Sequence, residues 1–583
     1  MARMKMLLRA GLPIAALLLP AAAPGRHGNV PETHRTAIVD PRPGPATIQA
    51  WRDRKFGLFI HFGLYSVAGG MWNGRRIDNG YSEQILANGK LPPADYAALA
   101  ARFDPDKFDP DAIVALAKAA GMKYVVITAK HHDGFNLFRT AATPYNVVDA
   151  TPYHRDIVGQ MAEACRRGGL AFGVYYSTID WHHPGGNRYL EGNSNPITPA
   201  QEAFNIVQLK ELLTHYGPIS ELWFDMGRPT PAQSAHFTRT VHALQPQTMV
   251  SGRVWNHQGD FTVLGDNGEP NVAIEEPWES PASIYPETWG YRSWQVRDDL
   301  AGKIREHITR LVRVVSAGGN YILNIGPTGE GAVVPFEADV LKGIGAWLRI
   351  NGAAIYGTRA QPFAKLDFGY ATLGRDKIFL FIEKLPADGR LRLPGVVDTA
   401  LGPASVLGAS PYATAPVRHD SAGASIDTHE LAGLGPGSFM PVVAIPFTGD
   451  LHVRPSAIAP DARGRAHLTP ANGAQYLRHD GFGYDDPPAP YKLRWDVALT
   501  KGMYQVTLHY RPASGAKRVT LLVDGHAYPL ALDRSGRSSA IVRRDEQDAP
   551  YALRLEIVPP QPRSRSDRLP IALRSIDMAP VKA

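Results

Sequence analysis

The feature of this 583-residue chain that most constrains its fold is an alternation of short apolar runs with longer amphipathic stretches, which continues to about residue 357. The apolar runs have the length and β-branched content of buried strands, and the stretches between them carry apolar residues at helical spacing. Strands that alternate with helices lie parallel in one sheet, with the helices as crossovers. The pattern predicts strands at 56–62, 124–128, 171–176, 221–225, 249–253 and 321–325, and helices at 111–120, 156–168, 200–216, 232–244, 298–316 and 336–351.

Six strands are two fewer than a (β/α)8 barrel of the TIM type requires. The irregular interval 271–294 is where at least one further strand is expected. We therefore predict an α/β fold in which a TIM barrel occupies residues 46–357. In such a barrel the C-terminal ends of all strands open onto one face, where ligands bind.

The pattern changes after about residue 360, where short alternating segments are separated by Gly and Pro turns. This is typical of an antiparallel β-sandwich, which we place at 360–455. A second β-sandwich is predicted at 465–583, after a boundary rich in Pro, Ala and Arg. Its aromatic residues are consistent with a carbohydrate-binding face and equally with a core, and the sequence leaves both open. They are Tyr476, Tyr484, Tyr491 and Trp495.

The formal net charge of +7 comes from basic residues spread along the chain, apart from a small cluster at 563–568. Such a distribution indicates a solvated basic surface and not a groove for nucleic acid. Cys165 is the only cysteine, so no intramolecular disulfide can form. It lies in the helical stretch at 156–168, which favours a buried small apolar residue over a catalyst.

The N-terminus has the layout of a secretory signal peptide, which we place at 1–23. Basic residues precede an apolar run at 10–19, and a small-residue segment follows it. That run is too short to span a bilayer, and no later stretch reaches about 18 consecutive apolar residues. We therefore expect an exported protein, periplasmic or secreted, without a membrane span.

Polar side chains follow several predicted strands at the point where each strand ends. A buried parallel strand is usually apolar throughout, so a polar group at its end requires a partner or a function. Aromatic rings flanked by imidazole, guanidinium and carboxylate groups suit a ligand that is apolar on one face and hydroxylated at its edge. The residues concerned are His61, His131, His132, Asp133, Tyr175, Trp223, Asp225 and Arg253.

The run from His131 to Asp133 has two interpretations. One is a metal site, because His and Asp are common ligands. The other, which we favour, is a group of hydrogen-bonding side chains for a polyhydroxylated ligand, because the chain lacks the His-x-His pair and further ligands of metal-dependent barrel hydrolases. No cofactor is expected, and the predicted ligand is a carbohydrate.

Cleavage of a glycosidic bond requires two carboxyl groups. Asp225, at the end of an apolar strand, is the candidate for the first. The second is sought in the acidic, Trp-rich segment that follows Arg253. Glu279 has an apolar neighbour in Trp278, which favours a carboxyl that keeps its proton, and Asp266 lies in a turn-like setting.

Six sequence blocks in this region resemble the signature blocks of the α-L-fucosidases of glycoside hydrolase family 29. The resemblance covers about residues 50–357 and implies a retaining exo-hydrolase of terminal α-L-fucose, built as a barrel followed by a β-sandwich, with no metal or organic cofactor. Fucosylated oligosaccharides or glycoconjugates are the implied substrates. The blocks are KFGLFIHFG at 55–63, AKHHDGF at 129–135, LWFD at 222–225, WE at 278–279, WGY at 289–291 and GNYILNIGP at 319–327.

The resemblance also assigns roles to individual residues. Asp225 matches the nucleophile, and Trp289 falls where the family tends to place an aromatic residue against the methyl group of the sugar. The acid/base matches either Asp266 or Glu279, of which we prefer Glu279. Positions that hold the fucose ring are matched by His61, His131, His132, Tyr175, Trp223 and Arg253.

One block departs from the family pattern. Many members carry Glu before the Trp in the loop after the first strand, whereas this chain has Met71 before Trp72. The missing carboxylate leaves its role to Trp72 or to Glu83. The departure also keeps a second hypothesis open, that of a fucose-binding protein that retains the barrel without catalysis. The sequence gives no indication of oligomeric state, linkage or aglycone preference.

Overall fold

The structure is a computed structural model, and the first residue that it describes is 42. The predicted signal peptide at 1–23 lies outside the described residues. In the described part of the chain, no helix is long and apolar enough to cross a membrane. The described residues are 42–184, 195–270, 274, 276–363, 366–410, 412–434, 439–454, 457–470, 473–477, 490–512, 518–544, 553–558 and 571–581.

Eight parallel strands of the described region form one sheet in the order β5-β4-β3-β2-β1-β8-β7-β6. A parallel bridge between Ser251 and Phe261 joins the two ends of this sheet and closes it. The predicted TIM-type barrel is therefore confirmed. The strands are β1 (Phe56–Ile60), β2 (Tyr124–Lys130), β3 (Ala171–Ser177), β4 (Glu221–Asp225), β5 (Met249–Val250), β6 (Thr262–Val263), β7 (Trp278–Ser283) and β8 (Asn320–Ile325).

Helices surround the barrel, six of them at the predicted places and one before β1 where none was predicted. Side chains fix where several of them begin. Asp109 and Asp156 each accept a hydrogen bond from a backbone N–H three residues later, and Thr230 forms a capping box with Gln233. The helices of ten or more residues are α1 (Pro45–Arg54), α2 (Pro110–Ala119), α3 (Ile157–Gly168), α4 (Pro199–His215), α5 (Pro231–Leu244), α6 (Leu300–Ser316) and α7 (Pro335–Asn351).

The two strands that the apolar pattern did not delimit are β6 and β7. β6 has only two residues, and β7 contains Glu279 and Pro281, so neither forms an apolar run. β7 lies in the interval 271–294, where a further strand was expected, and β6 lies before it. No α-helix occurs among the described residues between β5 and β7. Loops of this part of the barrel therefore carry the polar residues that follow β5 and β6.

Alternate residues of each strand face the barrel interior. On β4 these are Glu221, Trp223 and Asp225, which lie in succession from the N-terminal floor of the barrel to its C-terminal opening. Trp223 belongs to an interior cluster that also includes Phe59 and Tyr175. The opposite faces of the strands pack against the helices in a separate, larger core.

Two all-β regions follow the barrel, each with its own core. In the second, Trp495 is buried and its indole N–H donates to the Thr469 carbonyl at 2.9 Å, so this aromatic is a core residue. The side chains of the other three aromatics considered above, at 476, 484 and 491, lie outside the described residues.

The sheets of these regions are antiparallel. The first region contains two separate sheets. One has seven strands (Arg359–Ala360, Gly369–Leu373, Lys377–Ile382, Ala400–Leu401, Ala404–Val406, Thr414–Ala415, Val442–Thr448), and the other has three (Arg390–Pro394, Arg418–Asp420, Gly423–Asp427). The second region also contains two separate sheets. One has four strands (Ala466–Leu468, Gly502–Pro512, Arg537–Arg544, Ile571–Pro580), and the other has five (Ala474–Leu477, Pro490–Val497, Arg518–Val523, His526–Ala531, Leu553–Val558).

Candidate active site

A pocket of about 330 Å³, open to solvent, lies at the C-terminal ends of the barrel strands. Nine of the eleven site residues predicted from the sequence line it; Glu279 and Trp72 do not. Its polar groups come from separate strand ends, so the barrel brings together residues that are far apart in the chain. The lining consists of Phe59, His61, Tyr81, Glu83, Gln84, His131, His132, Tyr175, Trp223, Asp225, Met226, Arg253, Asp266 and Trp289.

Asp225, the last residue of β4, is held at the bottom of this pocket by two donors. The Tyr175 hydroxyl donates to Oδ2 at 2.6 Å, and the Arg253 guanidinium donates to Oδ1 at 2.9 Å. Burial raises the pKa of Asp225 to about 6, against the opposing effect of the Arg253 cation, and the negative charge of Asp266 adds to the rise. The carboxylate is thus fixed in place and predominantly ionised at neutral pH.

Arg253 joins this carboxylate to a second one. Its Nη1 contacts Asp225, and its Nη2 contacts Asp266 Oδ1 at 2.6 Å and donates to the Leu264 carbonyl at 3.2 Å. Because the two terminal nitrogens of one guanidinium bind the two carboxylates, the carboxylates of Asp225 and Asp266 are neighbours in the pocket. The guanidinium carbon also lies 4.7 Å from the centroid of the Trp223 ring.

Three imidazoles form another wall of the pocket. His61 Nδ1 bonds to Asn324 Oδ1 at 2.7 Å, and His132 Nδ1 bonds to Ser177 Oγ at 2.9 Å. Burial lowers the pKa of His61 to about 4 and that of His131 and His132 well below the usual value. All three rings are therefore neutral near pH 7. In His61 and His132 the Nδ1 atom is already hydrogen-bonded, so Nε2 is the ring nitrogen that remains for a sugar hydroxyl.

Asp133, the third member of the sequence run that suggested a metal site, is directed elsewhere. Its Oδ2 accepts a hydrogen bond from the Tyr96 hydroxyl at 2.6 Å, and its Oδ1 accepts one from the Phe135 N–H at 3.2 Å. Asp133 is not among the residues that line the pocket. Among the residues that the structure describes, no group of three or more His, Cys, Asp or Glu side chains could hold a metal ion.

Glu83 also lines the pocket, next to Trp289. Its Oε2 accepts hydrogen bonds from the N–H groups of Trp289 at 3.1 Å and Gly290 at 2.8 Å. Burial raises the pKa of Glu83 to about 7 in spite of these two donors. Trp72, the other candidate for the missing family carboxylate, belongs to a short hairpin that does not line the pocket.

Glu279, the preferred candidate for the acid/base, does not line the pocket that contains Asp225 and Asp266. It is the second residue of β7, at the N-terminal end of that strand, and its side chain points into the floor of the barrel with no exposed surface. Its carboxyl accepts hydrogen bonds from the Tyr124 hydroxyl at 2.5 Å and from Trp223 Nε1 at 2.9 Å. The apolar neighbour that favoured Glu279 begins a strand and does not form part of a loop at the opening, whereas Asp266 follows β6 and reaches the pocket.

The sequence model of the α-L-fucosidase family matches residues 40–353 of the chain. The tissue α-L-fucosidase of Bos taurus is 33% identical over 433 residues, which cover 70% of this chain and 90% of that protein. A covalent intermediate of a Bacteroides thetaiotaomicron α-L-fucosidase with 2-fluoro-fucosyl fluoride is similar at a TM-score of 0.63 and 27% identity, covering 70% of this chain and 97% of that one. The α-L-fucosidase of Vibrio sp. strain EJY3 is similar over 93% of this chain and 99% of its own, at a TM-score of 0.65 and 25% identity.

The raised pKa of Glu83 predicts a pH dependence of the free energy of unfolding. Because its pKa rises from 4.5 to about 7 on folding, protonated Glu83 favours the folded state below pH 4.5, and this contribution is lost as the pH rises to about 7. The loss amounts to about 3 kcal/mol at most. Glu83→Gln should flatten the decline of the free energy of unfolding between pH 5 and 7.5, measured by urea denaturation, whereas exposed Glu287→Gln should leave it unchanged. An equally steep decline in Glu83→Gln would contradict the assignment.

Proposed function

Because the chain belongs to the α-L-fucosidase family, glycoside hydrolase family 29, we propose that it is a retaining exo-hydrolase that removes terminal α-L-fucose from fucosylated glycans or glycosides. The proposal rests on one observation: in the pocket, the Arg253 guanidinium contacts the carboxylates of both Asp225 and Asp266. Retention requires two carboxyl groups about 5 to 5.5 Å apart, and a shared guanidinium keeps such a pair close. The trapped covalent intermediate of the Bacteroides relative supports the same course.

In the first step Asp225 attacks the anomeric carbon of fucose, and the bond from that carbon to the leaving oxygen breaks. Asp266 gives its proton to the leaving oxygen, so the aglycone departs as a neutral alcohol. In the second step water attacks the same carbon, Asp266 takes the water proton, and the bond to Asp225 breaks. The two inversions together release fucose with its original configuration.

The rest of the pocket orients the sugar. The neutral imidazoles of His61, His131 and His132 are placed to bind its hydroxyls, and Trp289 offers an apolar surface to its methyl group. Glu83, which lines the pocket while Trp72 does not, takes the role of the carboxylate that the sequence lacks before Trp72. Orientation of this kind removes several kcal/mol from an activation barrier.

We also propose, on the signal-peptide pattern of 1–23, that the enzyme is exported to the periplasm or the medium.

Asp225→Ala should abolish turnover of an aryl α-L-fucoside, because no group remains to form the glycosyl-enzyme. A loss of at least about 10³-fold in kcat is expected. Added azide should restore turnover and give the β-linked fucosyl azide, since it attacks directly from the vacated side. A folded Asp225→Ala protein with undiminished turnover would contradict the nucleophile assignment.

Asp266→Asn should separate the two chemical steps. An aryl leaving group needs little protonation, so the fucosyl-enzyme still forms, but its hydrolysis lacks a base and kcat should fall about 10²-fold or more. Azide needs no base, and it should restore turnover and give the α-linked fucosyl azide. The products are distinguished by NMR; unchanged hydrolysis of both aryl and glycan substrates would rule out Asp266.

The pH dependence of kcat/KM should show the titration of Asp225. The nucleophile must be ionised, and its pKa is about 6, so kcat/KM should fall as the pH drops below about 6. Arg253→Gln removes the cation that lowers this pKa, so the midpoint of the acid limb should move to higher pH. A midpoint that stays in place or moves to lower pH would show that the limb belongs to another group.

A further inference from the structure

Two carboxyl groups lie buried beneath the sugar pocket, on the floor of the barrel. Glu221 and Glu279 have no exposed surface. Glu221 Oε2 accepts a hydrogen bond from Trp51 Nε1 at 2.7 Å, and Glu279 binds Tyr124 and Trp223 as described above. Buried carboxyls are costly, and an apolar pair would fill the same space. Among the hydrogen bonds of the described residues, Glu279 bonds to a residue of the pocket, Trp223, whereas Glu221 bonds to Trp51.

Trp223 connects Glu279 to both groups that hold Asp225. The Arg253 guanidinium lies over the Trp223 ring, and the Tyr175 ring stacks on it at 5.7 Å between centroids with an interplanar angle of 21°. Arg253 and Tyr175 are the two hydrogen-bond donors to the Asp225 carboxylate. The plane of the Trp223 ring therefore sets where both donors lie.

The orientation of that plane depends on the indole N–H. An indole has a single donor and no acceptor, so one well-placed acceptor fixes the ring about its side-chain torsions. Glu279 Oε2 is that acceptor, at 2.9 Å, and its other oxygen is anchored by Tyr124. Phe59 packs edge-on against Trp223 at 5.1 Å but offers no acceptor.

We propose that Glu279 is a positioning residue for the hydrolysis: by holding the Trp223 indole from below, it fixes Arg253 and Tyr175 and through them the Asp225 nucleophile. The proposal rests on the proposed function. Glu279 itself touches neither the pocket nor the reacting atoms.

The protonation state of Glu279 indicates which substitution preserves this role. Burial, together with the negative charge of Glu221, raises the pKa of Glu279 well above the usual value, which favours the neutral carboxyl. The bond to Trp223 requires an oxygen that accepts, and the Gln amide keeps such an oxygen in nearly the same shape. Glu279→Gln should therefore keep the bond to Trp223, and Glu279→Leu should remove it.

The first experiment compares these variants on an aryl α-L-fucoside. Glu279→Leu should lower kcat about 10- to 100-fold, as expected for a small misplacement of reacting groups, and Glu279→Gln should stay within about threefold of the parent enzyme. The acid limb of kcat/KM should move to higher pH in Glu279→Leu, because Arg253 no longer lies where it lowers the pKa of Asp225.

The matched control is Glu221→Leu. It removes an equally buried carboxyl and an equivalent indole bond, that to Trp51, but leaves Trp223 untouched. It should reduce stability as Glu279→Leu does while leaving the acid limb in place. Near-ultraviolet circular dichroism and urea denaturation verify that each variant is folded.

A double-mutant cycle that combines Glu279→Leu with Trp223→Phe provides a second test. If Glu279→Leu is poorly stable, Glu279→Ala takes its place in the cycle. Trp223→Phe keeps an aromatic ring but lacks the N–H, so its effect on kcat/KM and that of the Glu279 variant should be strongly non-additive. The effects of Trp223→Phe and Glu221→Leu should add.

Three results would overturn the proposal. If Glu279→Leu loses no more activity than Glu221→Leu and keeps the same acid limb, Glu279 serves stability alone. Additive effects with Trp223→Phe would show that it does not act through the indole. If Glu279→Gln loses 100-fold and is rescued by azide, Glu279 is the acid/base instead.

Failure of the proposed function has a different signature. The parent enzyme would then bind fucose in calorimetry without turning over any fucoside. In that case the affinity for fucose is measured instead. It should fall in Glu279→Leu and stay unchanged in Glu279→Gln and Glu221→Leu. Equal affinities in all of these proteins would overturn the positioning role.

Discussion

The contact between one guanidinium and two carboxylates is the interaction on which the site depends. Arg253 holds Asp225 and Asp266 through separate nitrogens, and all three groups are almost completely buried. The Arg253 cation lowers the pKa of Asp225 and so opposes the effect of burial, which favours the ionised nucleophile in a medium of low polarity. The barrel can maintain this contact because β4, β5 and β6 are neighbours around its closed ring, so their C-terminal ends meet.

Below this contact the barrel interior is polar where an apolar core would be more usual. Trp223 separates the carboxylates of the opening from those of the floor and is hydrogen-bonded only on its lower side, to Glu279. An interior of this kind sacrifices stability, since each buried carboxyl must stay protonated or find donors. In return, the orientation of the Trp223 ring is defined more narrowly, because a hydrogen bond fixes a ring plane better than packing alone.

Most of the fold and of the pocket could be predicted from the sequence because both follow from strand ends. An apolar run followed by a polar residue predicts a side chain at the barrel opening, and this rule located His61, Asp225 and Arg253. It fails for the second carboxyl, because β6 and β7 are too short or too polar to be delimited, and the position of Asp266 relative to Glu279 depends on where those strands start. Glu83 lies in a 3-10 helix of three residues, Ser82–Gln84, which is too short to give a periodic signal.

The charge distribution of the pocket matches the demands of glycoside cleavage. As the glycosidic bond breaks, positive charge develops on the sugar ring. Buried and therefore neutral imidazoles at His61, His131 and His132 can bind hydroxyls without adding positive charge near the reacting carbon. The cation of Arg253 is balanced by the carboxylate of Asp225, which lies where the charge develops. The low pKa of the imidazoles is thus as much a part of the site as the raised pKa of Asp225, and burial in the barrel produces both.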